Sequence, residues 1–178
     1  MSLPSGYTFL SGSLYLGSNL IFNIAQGTTL LGSTSWSAYP MGFYSRYSGT
    51  MGYGHASLLN AGVCLNVTNS PRPGDNCYQW QKIKNLIIEG GGVIDGQGVQ
   101  WWTQCSTSCP DGSGNGQRPT LLGLLWVNGL TISNLTLMNS PFWTVHPVFS
   151  NNVRITGLYI DAPFNSLNTD GLLLTTHH

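Results

Sequence analysis

Four stretches of the chain share one layout: "SNLIFNIAQGTTLLG", "KNLIIEGGGVIDGQG", "NGLTISNLTLMNSPF" and "NNVRITGLYIDAPF". Each carries Asn at its first or second position and sets an apolar pair two residues apart soon after it: Leu20/Phe22, Leu86/Ile88, Leu130/Ile132 and Val153/Ile155. The last two stretches add a second pair, Leu135/Leu137 and Leu158/Ile160. Period-two alternation in short runs specifies strands with one buried face. Asn and Gly between the runs specify sharp corners. The first members of the pairs stand 66, 44 and 23 residues apart. Those separations are close to three, two and one units of about 22 residues, a spacing that marks solenoids. A coil of that length holds three short strands and three turns, and it stacks on the next coil by parallel pairing. A helical solenoid needs apolar residues at spacings of 3, 4 and 7, which are absent, and a β-sandwich predicts no fixed offset. The reading is a parallel β-helix.

The repeat also places polar side chains. "SPFWTVHPV" and "APFNSLNTD" align through their Pro-Phe at an offset of 22. His146 then lies one coil before Asn168, and Trp143 one coil before Asn165.

Composition narrows the function. Only 7% of residues are charged, six basic and six acidic. Nucleic-acid binding needs a basic excess and is excluded. The longest apolar block, "LLGLLWV", spans seven residues, too few to cross a membrane as a helix. Met1–Phe9 has neither the basic start nor the apolar middle of a signal peptide. Of the four cysteines, Cys64, Cys77, Cys105 and Cys109, none has a histidine at zinc-finger spacing. Two disulfides are expected; Cys64–Cys77 with Cys105–Cys109 is the simplest of three connectivities. "CSTSCPDGSGNGQ" then reads as a loop thrown out of one coil, at about residues 103–117. Disulfides suit an oxidising compartment, as do the glycosylation sequons at Asn66 and Asn134.

Three further stretches, "GGGVIDGQGVQWW" (Gly90–Trp102), "RPTLLGLLWVNGLTISNLTLMNSPFWTVHPV" (Arg118–Val148) and "NTDG" (Asn168–Gly171), resemble family 28 glycoside hydrolases, the polygalacturonases and their relatives. "NSPFW" with "HPV", and the early segment Leu3–Ser33, resemble the exo-acting, plant-like branch. The resemblance implies an all-β fold: a right-handed parallel β-helix, the pectin-lyase-like solenoid. It implies hydrolysis of α-1,4-galacturonosyl links in pectin with inversion, without a cofactor or metal, by a secreted monomer. It puts the water-activating aspartate at Asp170 and the orienting asparagine at Asn168.

Inversion needs two carboxyl groups, an acid on one side of the bond and a base on the other. The six acids are Asp75, Glu89, Asp95, Asp111, Asp161 and Asp170, and only Asp170 stands in a family motif. The family's later Asp-Asp pair, Gly-His-Gly and Arg-x-Lys do not occur in these 178 residues, nor does its early "GD" coil. The expectation is therefore one partial β-helix domain, residues 1–178, truncated at both ends, without turnover of its own and open to self-association. Two other classes compete with it: a non-catalytic β-helix that binds acidic polysaccharide, and a polysaccharide lyase, which needs clustered carboxylates for calcium.

Several residues carry two readings each. His146 is either a substrate contact or a packed strand-end histidine. Arg118 is either a bidentate partner for a uronate carboxylate or a surface-turn residue. Asn168 and Asp170 without the resemblance are turn formers, and Asp95 caps a turn between glycines. Trp101, Trp102, Trp126 and Trp143 are packing residues before they are sugar platforms.

Overall fold

In the computed structural model the described residues are 1–47, 50–63, 81–105, 109 and 118–174. Five coils wind in one sense. The first holds β1 (Ser2–Leu3), β2 (Thr8–Ser11) and β3 (Leu14–Tyr15), and the second opens with β4 (Leu20–Ile24) and β5 (Thr29–Gly32). The second coil then leaves the stack for a 3-10 turn (Trp36–Ala38) and an antiparallel hairpin, β6 (Met41–Tyr47) with β7 (Thr50–His55). It returns at β8 (Leu59–Ala61). The third coil runs through β9 (Ile83–Glu89) and β10 (Val93–Asp95) to an excursion carrying α1 (Gly98–Gln104), and rejoins at β11 (Leu122–Leu125). The fourth is β12 (Val127–Ser133), β13 (Thr136–Met138) and β14 (Val145–Val148). The fifth is β15 (Asn151–Thr156) and β16 (Tyr159–Asp161), followed by a bridge from Leu172 to Val145.

Three parallel sheets result, ordered β1-β4-β9-β12-β15, β2-β5-β10-β13-β16 and β3-β8-β11-β14. The fold is the right-handed parallel β-helix.

The apolar pairs stack as the sequence requires. Leu20, Leu86, Leu130 and Val153 are direct neighbours in register, and Phe22, Ile88, Ile132 and Ile155 form the next column. The second sheet contributes Phe9, Leu30, Ile94, Leu137 and Ile160, and the third contributes Leu14, Leu59, Leu122 and Val145. The columns meet in one core, where each fully buried aliphatic side chain contributes about 1.5–3 kcal/mol.

The unit count needs correction. The 66- and 44-residue separations each span one coil, since Leu20 pairs directly with Leu86 and Leu86 with Leu130. The surplus lies in three connections: between Gly32 and Leu59, between Ala61 and Ile83, and between Asp95 and Leu122. Strand register fixes the apolar columns and leaves corner length free.

The asparagine corners have a backbone cause. Asn19, Asn85, Gly129 and Asn152 occupy one position in successive coils, all at left-handed φ between 52° and 81°. Asn and Gly tolerate that region at least cost. The asparagines also bond along the stack, Asn85 Nδ2 donating to Asn19 Oδ1 at 3.0 Å and Asn152 Nδ2 to Asn128 Oδ1 at 2.8 Å. At the next corner Gly90 has φ +139°, and a Cβ there would sit 2.2 Å from the Ile24 carbonyl oxygen one coil below.

Candidate active site

The corner between the second and third sheets carries the polar residues singled out in the sequence. In the fifth coil it runs from the end of β16 to Leu172 and contains Asn168-Thr169-Asp170-Gly171. Backbone bonds pin it to the fourth coil: Thr144 N–H donates to the Asp170 carbonyl at 2.9 Å, and Val145 N–H to Gly171 at 3.1 Å. Leu173 N–H returns a bond to Val145 at 2.9 Å. Inside the corner, Ser166 Oγ donates to the Pro163 carbonyl at 2.6 Å and meets Thr169 Oγ1. Asn168 is exposed at φ +54°, and the Asp170 side chain is also exposed.

Arg118 does not lie on a surface turn. It is fully buried, and its guanidinium bonds to the protein itself, so the expected grip on a uronate is replaced by a grip on the corner. Nη1 donates to the carbonyls of Pro141 (2.9 Å) and Leu167 (3.0 Å), and Nη2 donates to Asn168 Oδ1 at 2.8 Å. The guanidinium carbon stands 5.1 Å from the Phe142 ring centroid. Desolvation lowers its pKa to about 10, which leaves it cationic at neutral pH. Three successive coils are tied at one point: Arg118 precedes β11, Pro141 lies in the fourth coil's corner, and Leu167 and Asn168 lie in the fifth.

His146 is the packed histidine. It sits within β14, 2% exposed, with Trp143 edge-on at 4.7 Å, and burial lowers its pKa to about 4. The expected alignment of His146 with Asn168 is overturned. Val145 bridges Leu172, which sets His146 beside Leu173, at an offset of 27 rather than 22. Met138 still pairs Asp161 at an offset of 23, so the fifth coil's corner is longer by four residues. A shared Pro-Phe dipeptide cannot report a length difference that follows it.

The other described acids end strands rather than sitting within the corner. Glu89 ends β9 in the first sheet, and Asp95 and Asp161 lie in one column of the second, with Met138 between them. Asp95 does cap its turn, accepting from Gln97 N–H at 2.9 Å, and it also accepts from Asn139 Nδ2 at 3.1 Å. Asp75, Asp111, Asn66, Cys64 and Cys77 lie outside the described residues. Cys105 and Cys109 form a disulfide at the end of α1. The excursion expected at about 103–117 begins earlier, at the end of β10, and α1 itself was not anticipated. Asn134 is exposed at a corner with φ +55°. Trp101 packs edge-on against Trp36 and Tyr39, and Trp102 Nε1 donates to the Ser140 carbonyl at 3.1 Å. Between α1 and the corner an open cleft of about 360 Å³ is lined by Val99, Trp102, Thr103, Pro163, Asn165 and Leu167. Among the described residues no three His, Cys, Asp or Glu side chains converge to hold a metal ion.

Known proteins share this chain's family and fold. The model of the glycosyl hydrolases family 28 matches residues 45–177. A probable polygalacturonase of Vitis vinifera is 34% identical over 174 residues, covering 96% of this chain and 31% of that protein. A polygalacturonase of Chamaecyparis obtusa is 42% identical over 102 residues, covering 53% of this chain and 19% of that protein. Among solved structures, the family 28 exopolygalacturonase of Yersinia enterocolitica superposes with a TM-score of 0.76 at 26% identity. It covers 97% of this chain and 34% of its own. The chain thus spans about a third or less of the length of these relatives.

Proposed function

The chain belongs to the glycosyl hydrolases family 28, and from that premise we propose that the 168–171 corner is one half of a polygalacturonase-type site. Asp170 is the carboxylate that activates water, and Asn168 orients the sugar or the water. The reaction is hydrolysis of α-1,4-galacturonosyl links in pectin with inversion, by a secreted protein whose Asn134 accepts a glycan. One observation carries the reading. Asn168 and the carbonyls of Asp170 and Gly171 are held in place before any ligand arrives, by Arg118 and by the Thr144 and Val145 amides. Preorganisation of this kind is what a positioned base requires.

A second reading follows from the acids. Among the described residues Glu89 ends a strand of the first sheet and Asp95 and Asp161 end strands of the second, and a base without a facing acid cannot also protonate the leaving oxygen from the opposite side. On this reading the described coils bind acidic oligosaccharide without cutting it. Titration of tri-galacturonate and of a neutral glucan trisaccharide tests the site. Saturable binding of the uronate, lost in Asn168→Ala, is the expected result. Equal binding of both sugars, or none, contradicts it.

A further inference from the structure

Arg118 carries only donors, so the Asn168 atom 2.8 Å from its Nη2 must be the carbonyl oxygen. The orientation of that amide is therefore fixed by its partner's chemistry rather than by choice. The arginine is itself immobilised, fully buried, with Nη1 shared between carbonyls of two coils and its plane against Phe142. Asn168 Nδ2 donates to none of the described residues. Its residue is exposed, at the tip of the corner.

We infer that Arg118 is a positioning residue, which locks the Asn168 amide with Nδ2 outward as a donor to an oxygen of the bound uronate chain. This rests on reading the 168–171 corner as a pectin site. A free asparagine offers a ligand either end of its amide; this one turns its N–H end outward, its oxygen already accepting from Arg118. It therefore selects an acceptor, a hydroxyl or a carboxylate, and it does so without placing a full charge beside Asp170. An aspartate at 168 would keep an acceptor for Arg118 but turn a negative oxygen toward an anionic sugar. A lysine at 118 would keep the charge, but its single ammonium lacks the fork that reaches three carbonyl oxygens.

The test uses the whole chain labelled with ¹⁵N-asparagine and titrated with tri-galacturonate. The Asn168 side-chain resonance, assigned by its loss in Asn168→Asp, is expected away from free-amide positions and to move on titration. In Arg118→Met it falls to the free-amide position and affinity drops about tenfold or more, the size expected for one hydrogen bond to a charged group. Asn168→Asp, at an exposed site, keeps the melting temperature and loses binding by a similar factor. If Arg118→Met does not fold, Asn168→Asp decides alone. A folded Arg118→Met with an unmoved Asn168 resonance and unchanged affinity overturns the inference, as does Asn168→Asp binding as tightly as the parent. A parent whose Asn168 resonance is displaced yet ignores tri-galacturonate overturns the pectin reading and, with it, the donor role, leaving the clamp purely structural.

Discussion

Burial leaves His146 unable to take up a second proton at ordinary cost. Its Nε2 finds no hydrogen-bond partner among the described residues, and desolvation moves its pKa from the usual 6.5 down to about 4. In the unfolded chain the same imidazole protonates near 6.5. Between those values the unfolded state binds more protons, so stability is full above pH 6.5, falls as pH drops toward 4, and levels off below it. The loss amounts to roughly 3 kcal/mol in all. Chemical denaturation at pH 7 and pH 4.5 should show that drop in the parent and a smaller one in His146→Phe. Equal drops in the two proteins would refute the assignment. At this scale the sequence was legible where backbone geometry picks the residue. The corner asparagines are one case, since few other residues accept left-handed φ. Asp95 is another, because its turn is local. Arg118 was illegible because its acceptors are set by coil stacking; Asn168 lies 50 residues on, and nothing local marks it.

Strands were readable from alternation, and corners only from their ends. The paired columns through Leu86, Leu130 and Val153 were predicted and found, while the excursions that lengthen two coils were counted as coils. The difference is physical: a buried column fixes register, whereas loop length costs only a slowly growing entropy. Depth within the stack should set mutational cost. Leu130 is fully buried between neighbours on both sides, so Leu130→Ala should cost about 2–5 kcal/mol, and Val153→Ala in the last described strand of that sheet less than half as much. Urea denaturation compares them, and equal costs would count against the stacking. Gly90→Ala should be worse than its size suggests, at least about 3 kcal/mol. It combines a φ of +139° with a Cβ 2.2 Å from the Ile24 oxygen. A melting temperature within a degree of the parent's would contradict the close approach of those two coils.

Taken by themselves, the described coils present two open faces. At one end β15 and β16 have no neighbour beyond them, with Tyr159, Phe164, Leu172 and Leu174 exposed; at the other, Tyr7 and Leu10 are exposed beside β1 and β2. Open strand edges with apolar flanks recruit further strands. Sedimentation velocity across a hundredfold range of concentration should show association, weakened by Tyr159→Lys. A single monomer boundary throughout would argue against it. The fold was legible at this scale because repetition multiplies a weak signal over several coils. The catalytic assignment rested on a four-residue motif, and its supporting arginine was found only in three dimensions.

On the proposed reading Asp170 supplies one of the two carboxyl groups that inversion needs, and among the described residues the other acids, Glu89, Asp95 and Asp161, end strands of the first and second sheets. Release of reducing ends from polygalacturonate, measured on the purified chain beside Asp170→Asn, tests it most directly. No release is expected from either protein, while the parent still binds tri-galacturonate. Release by the parent that disappears in Asp170→Asn would contradict it, and would mean that one of the other five acids already serves as the general acid.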